Sequence, residues 1–138
     1  MTTEWKRGDY TISCDVERLD LGVVHKFLRT SYWAKDVSEE AVRRSIEHSL
    51  CFGVYDHESQ VGFARVITDR ATFAYLADVF ILEQHRGHGL GAWLIETIVS
   101  HPELSGLRRW ILVTRDAHDL YRKYGFRELR SPEWFMER

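Results

Sequence analysis

The run His85-Arg86-Gly87-His88-Gly89-Leu90-Gly91 combines residue types and spacing able to do chemistry. Three alternate glycines let the backbone turn tightly and bring bare N–H groups close to a ligand. An amphipathic pattern starting at Gly89 adds the positive end of a helix dipole. That combination suits a phosphate. A dinucleotide fingerprint requires Gly-x-Gly-x-x-Gly after the first strand of a doubly wound sheet, with an acidic residue about 20 positions on. Here the spacing is Gly-x-Gly-x-Gly, past mid-chain, with Ile111 where the acid belongs. A Walker loop would close on Gly-Lys-Ser/Thr, which the chain lacks. A plain glycine turn into a helix, with no ligand, is the ordinary alternative. What remains is Arg-x-x-Gly-x-Gly, met by Arg86, Gly89 and Gly91.

A second segment, Thr114 to Phe126, has a matching character. Together the two stretches resemble the GNAT superfamily of acyl-CoA-dependent N-acyltransferases. The pyrophosphate loop of that family carries Arg-x-x-Gly-x-Gly, and a later element reads Asn-x-x-Ala-x-x-Leu-Tyr-x-x-x-Gly-Phe. Ala117, Leu120, Tyr121, Gly125 and Phe126 fit that element, whereas Thr114 stands where the family often has Asn. The resemblance implies acetyl-CoA as cosubstrate, held by Val79, Phe80, Ile81, Arg86, Gly87, His88, Gly89, Leu90, Gly91, Thr114, Ala117 and Tyr121. It implies an acceptor side lined by the segment Arg29 to Lys35, with Tyr32, Trp33, Arg65 and Asp78 as substrate residues. Tyr32 and Trp33 can stack on an acceptor or simply close the core.

Attack of an amine on a thioester needs a neutral nucleophile, a donor for the developing oxyanion and a proton for the departing thiolate. If the long strand before the glycine loop parts from its neighbour, as in the family, the backbone of Val79 and Ile81 is free for the pantetheine arm. Tyr121, with an ordinary phenol pKa of about 10, is the expected general acid. A lone Tyr on a short helix is more often core than catalyst, and the same holds for Tyr124. The base is open. Polyamine-type relatives carry Glu at the position of Ala77, and the adjacent Asp78 points to the opposite face of a regular strand unless a bulge turns it. Asp69, Glu83, His118 or a water relay are the other candidates. Arg29, Arg65 and Arg70 would favour an acceptor carboxylate, whereas Asp69 and Asp78 would favour a cationic amine. The expected activity is transfer of an acetyl or short acyl group from CoA to a primary amine of a small molecule. The rival is an inactive module that binds or senses acyl-CoA.

The elements that must position these residues follow from periodicity. Tyr10 to Val16 alternates as a first strand, and Leu21, Val24 and Leu28 repeat at helical spacing. Ser38 can cap a helix with Val42, Ile46 and Leu50 on its apolar face. Cys51 to Tyr55 and Gln60 to Thr68 form a hairpin, and Thr72 to Leu82 is a long strand, apolar almost throughout. Gly89 to Ser100 is a helix stopped by Pro102. Arg109 to Thr114 is a strand, Ala117 to Tyr124 a short helix, and Phe126 to Leu129 with Trp134 to Met136 are terminal strands. This order is similar to the GNAT fold: one α/β (α+β) domain over residues 1–138, with a mixed, mostly antiparallel sheet of six to seven strands and about four helices.

Bulk properties set limits. With 138 residues, 44% hydrophobic, 29% charged and two prolines, the chain is expected to fold as one globule that buries about two-thirds of its unfolded surface. A net charge of −2 offers no reason to expect nucleic acid. No apolar run suggests a membrane span or signal peptide, so a soluble cytoplasmic monomer or homodimer is expected. Cys14 and Cys51 read as reduced core thiols. His25, His48, His57 and His101 read as solvated, and no His pair has metal-ligand spacing, so no metal is expected.

Overall fold

Residues 3–138 are described by a computed structural model. The sheet has six strands in sequence order: β1 Glu4–Arg7, β2 Tyr10–Ser13, β3 Leu50–Asp56, β4 Ser59–Thr68, β5 Phe73–Ile81 and β6 Arg109–Leu112. Every neighbouring pair is antiparallel except β5 and β6, which run parallel. Only that pair needs a crossover, and α3 (Leu90–Val99) supplies it.

Alternation along the strands divides the core between two faces. Phe52 and Ala64 join Leu90, Leu94, Ile95 and Ile98 of α3 on one face. Cys51 and Phe63 join Val24 and Leu28 of α1 (Leu21–Thr30) and Val42 of α2 (Glu39–Glu47) on the other. Capping fixes where α1 and α2 begin. Asp20 accepts from the Val23 N–H at 3.1 Å and Ser38 from the Ala41 N–H at 3.0 Å, each satisfying an N–H left over in a first turn. The helix α4 (His118–Arg122) follows β6. No helix among the described residues is long and apolar enough to cross a membrane.

Four expectations change. Instead of one strand from Tyr10 to Val16, a hairpin turns at Gly8 and β2 stops at Ser13. Asp15 there accepts from the Glu17 N–H at 3.0 Å, a local bond that competes with the ladder. The strand expected over Arg109 to Thr114 ends at Leu112. The two terminal strands do not form. The Phe126 N–H is spent on the Tyr121 carbonyl at 3.3 Å, and Pro132 opens a single 3₁₀ turn through Trp134. The sheet therefore stops at six strands. His101 is also not solvated: it is 3% exposed between Trp5 and Phe52, and burial pushes its pKa down.

The feature that builds a site lies in β5. Pairing with β6 runs from Phe73↔Arg109 to Leu76↔Leu112 and ends there. On the other side, Arg65 pairs with Ala77 and Phe63 with Phe80, so Asp78 and Val79 together face Ala64. This two-against-one arrangement is a β-bulge, with Asp78 at φ 55°, and bulges bend the strand that carries them. Beyond it, β5 has no strand on its β6 side.

Candidate active site

The unpaired half of β5 forms one lip of a cleft. The Leu82 N–H donates to the Val61 carbonyl at 2.7 Å, so by alternation Phe80 also turns its backbone to β4, while Val79 and Ile81 turn theirs to the open side. Phe80 thus gives its backbone to the sheet. Its ring stacks on Phe27 at 4.0 Å between centroids, and the residue also lines the cleft. Arg86 donates from Nε to the Ile81 carbonyl at 2.9 Å, which ties the glycine loop to the strand and leaves that carbonyl engaged.

Gly87 and Gly89 take φ 85° and 75°, conformations that side chains rarely adopt. Gly89 is the N-cap of α3, and no side chain caps the helix. A Cβ placed at Gly87, Gly89 or Gly91 would meet no atom within 4 Å, so the space before the first N–H groups is open. Leu90 is buried and offers only its backbone to that space, whereas His88 is exposed. Tyr10 bonds the His85 ring at 3.1 Å from its hydroxyl and holds the start of the loop. An uncapped helix end bordered by open glycines fits a phosphate group.

The other lip is the β6–α4 connection. The Thr114 hydroxyl accepts from the Ala117 N–H at 3.1 Å and the Asp116 N–H at 3.4 Å, so it shapes the turn into α4. One turn on, Tyr121 is 8% exposed. Burial pushes its phenol up to about 12, and the neighbouring Tyr32 and Asp116 add to the shift. The phenol therefore keeps its proton at any ordinary pH. Tyr124 is half-buried and packs against the core.

Two residues between α1 and α2 span the gap between the lips. The Arg115 N–H donates to the Tyr32 hydroxyl at 2.8 Å, and the Arg115 guanidinium lies 3.9 Å from the Tyr32 ring centroid. The Trp33 indole N–H donates to Asp78 Oδ1 at 3.0 Å. Tyr32 thus bonds the β6 lip and Trp33 the β5 lip. This strap borders a cleft of about 820 Å³ toward the glycine loop and a recess of about 680 Å³ toward α2, and Tyr32, Trp33 and Tyr121 line both.

Residues 47–128 match the family model of an acetyltransferase (GNAT) domain. The chain belongs to the GNAT family. A Gibberella zeae protein named "Putative acetyltransferase FG08082" is 34% identical over 92% of this chain and 84% of that protein. The crystal structure of a GNAT-family protein from Xanthomonas campestris pv. campestris is 49% identical, with a TM-score of 0.92 over 94% of this chain and 92% of that one. A Clostridium acetobutylicum structure, titled as a predicted acetyltransferase with acetyl-CoA, shares the fold at 13% identity and a TM-score of 0.66, covering 100% of this chain and 96% of that chain. As a GNAT protein, the chain is an acyltransferase that uses acetyl-CoA and acts on an acceptor.

Within this GNAT site the two sides of the strap differ in charge. Arg29, Lys35, Arg86 and Arg115 line the cleft toward the glycine loop, against Asp116 alone. The recess toward α2 has Asp78, Asp116 and Glu137 against Arg65. Sequence reading singled out neither Arg115 nor Glu137 for these roles, because each reaches the site only through tertiary folding. Asp78 does turn to the recess, as a bulge allows, but both its oxygens are engaged: Oδ1 by Trp33, Oδ2 by Arg65 Nε at 2.8 Å. Four other candidates lie elsewhere. Asp69 sits in the turn before β5, where it accepts from the Ala71, Thr72 and Phe73 N–H groups and the Thr72 hydroxyl, and these bonds hold its carboxyl well below the usual range. Arg70 pairs with Glu103 at 2.9 Å, outside both spaces. Glu83 lies in the turn ahead of the glycine loop and His118 at the exposed start of α4, and neither lines the cleft or the recess.

Proposed function

We propose that the chain moves an acetyl group from acetyl-CoA to a primary amine of a small molecule, by direct attack of the amine on the thioester. The observation that carries this reading is Tyr121, a buried, protonated phenol lining both the cation-lined cleft and the acidic recess. When bound, acetyl-CoA supplies an acyl thioester open to attack and a thiolate that must leave protonated. The Arg86 N–H is spent on the Glu83 carbonyl at 3.2 Å, so the N–H groups from Gly87 to Gly91 hold its pyrophosphate, and the positive end of α3 favours the charge. The open backbone of Val79 and the N–H of Ile81 orient the pantetheine arm, and one of these N–H groups faces the acyl oxygen. Thr114 and Ala117 shape the opposite wall.

Tyr121 donates the proton that the leaving sulfur needs. With both oxygens of Asp78 engaged and Asp69 remote, the amine loses its own proton to solvent rather than to one essential carboxylate. The test is a panel of primary amines incubated with acetyl-CoA and the purified protein, read as free thiol released. Release with at least one amine, and acetylated product by mass, supports transfer. Tight acetyl-CoA binding with no thiol release across the panel would reduce the protein to a binding module and overturn the reading.

A further inference from the structure

Arg65 is the only Lys or Arg among the described residues lining the recess, and its charge is already paired with Asp78. Nε bonds Asp78 Oδ2 at 2.8 Å and one terminal nitrogen bonds the Ser49 hydroxyl at 3.2 Å. The side chains of Arg65 and Asp78 are 16% and 10% exposed, so the pair lies largely out of water, where removing one member strands the other. Asp78 uses its second oxygen on the Trp33 N–H. A bonded chain of four residues therefore runs from Ser49, just before β3, to the strap over the recess.

The chain of bonds fixes a ring that local structure would leave loose. Trp33 lies between helices and is 43% exposed. Its neighbours are Tyr32, edge-on at 5.1 Å, and Phe27, tilted at 6.4 Å. The bond to a carboxylate adds a directional anchor to those contacts, and charge-assisted hydrogen bonds are about twice as strong as neutral ones. That bond exists because the bulge gives Asp78 a positive φ, which Asp tolerates better than bulkier residues do.

We propose that Asp78 is a positioning residue: locked by Arg65, it holds the Trp33 indole as a fixed wall of the acceptor recess, which thereby selects amines with a flat apolar body and no carboxylate. This rests on the reading of the site as an amine acetyltransferase. Besides the indole, the recess is lined by Leu28, Val37, Tyr75 and Leu76, which favour an apolar body. An acceptor carboxylate would have to share the one cation, Arg65, with Asp78 or lie unneutralised beside Asp116 and Glu137. Either is unfavourable.

2-Phenylethylamine and phenylalanine share ring and amine and differ in the carboxylate. The indole N–H signals of the five tryptophans, with that of Trp33 identified by its loss in Trp33→Phe, report binding without turnover. The expected result is a shift of the Trp33 signal with 2-phenylethylamine and none with phenylalanine. In thiol-release assays, Trp33→Phe and Asp78→Asn should each raise the KM for 2-phenylethylamine by about tenfold, and the double variant should be no worse than the worse single one, as expected of residues acting through one bond. Equal response to phenylalanine, additive losses in the double variant, or a collapse of kcat in Asp78→Asn at unchanged KM overturns the proposal. Trp33→Phe keeps the test standing if Asp78→Asn unfolds, because its KM and the two binding titrations alone must agree. A Trp33 shift without thiol release from any amine would refute transfer and leave the assignment of the recess supported.

Discussion

Replacing Tyr121 with Phe removes one hydroxyl from a residue that lines both sides of the strap and otherwise keeps the ring's packing against Phe126, 5.9 Å between centroids. If that hydroxyl supplies the proton for the leaving sulfur, turnover should fall about 100-fold or more, equivalent to about 2.7 kcal/mol of transition-state stabilisation. Acetyl-CoA affinity should change little, because the loss falls on a step after binding. The phenol's pKa gives an independent check. Burial raises it from 10.0 to about 12. A pKa raised on folding contributes stability that is present in full below the unfolded value and lost as pH climbs through the folded one. The wild type should therefore lose about 2–3 kcal/mol between pH 10 and 12 from this group, and Tyr121→Phe should not. In the rate profile, the acid form persists, so the wild type should show no alkaline limb from Tyr121 below about pH 11. The assays are thiol release at saturating acetyl-CoA from pH 7 to 10, and denaturant unfolding from pH 9 to 12. Turnover within threefold of wild type would assign Tyr121 to packing. An identical alkaline loss of stability in the variant would refute the link to its burial.

Other outcomes follow from the same geometry. Acetyl-CoA at about 100 times its dissociation constant should add about 2.7 kcal/mol, a rise in Tm of about 9 °C for a chain of this length. Gly89→Ala should lower the Tm of the free protein, since φ 75° costs an L-residue about 1–2 kcal/mol, and should cut the acetyl-CoA shift; an undiminished shift would move the pyrophosphate elsewhere. Asp69→Asn should leave turnover unchanged and lower Tm at neutral pH. Because the Asp69 carboxyl is depressed in the folded chain, its contribution is present in full above the unfolded value of 3.8 and is lost progressively as pH falls from there through the lower folded value, so wild type and variant should converge only in strong acid. With no essential carboxylate base, kcat/KM should rise with pH toward each acceptor amine's own pKa; an acid limb at one pKa for every amine would reveal a base on the protein.

The glycine loop, the order of helices and strands, and Tyr121 on a short helix were legible because each is local. Three glycines within five residues, a 3.6-residue apolar period and a strand's alternation leave their marks on neighbouring positions. Charged β1 escaped notice because Glu4–Arg7 is a strand only through its partners Tyr10–Ser13. The terminal segments looked like strands by composition, yet Phe126 donates its N–H to Tyr121 and Pro132 opens a turn, so packing overrode propensity. Asp78 marks the boundary most sharply. Its identity and its neighbour Ala77 are plain in the chain, but whether its carboxylate faces the recess depends on one extra residue in a ladder formed with β4, whose Arg65 is 13 positions away. The strap depends on still longer reach: Tyr32 meets Arg115 across 83 positions and Trp33 meets Asp78 across 45. The sequence by itself determined the glycine loop and the placing of Tyr121 on a short helix behind it, since backbone conformation and side-chain chemistry there are set within a few residues. Only the tertiary structure decided which charges remain free in the recess, because ion pairing is a property of groups brought together by folding.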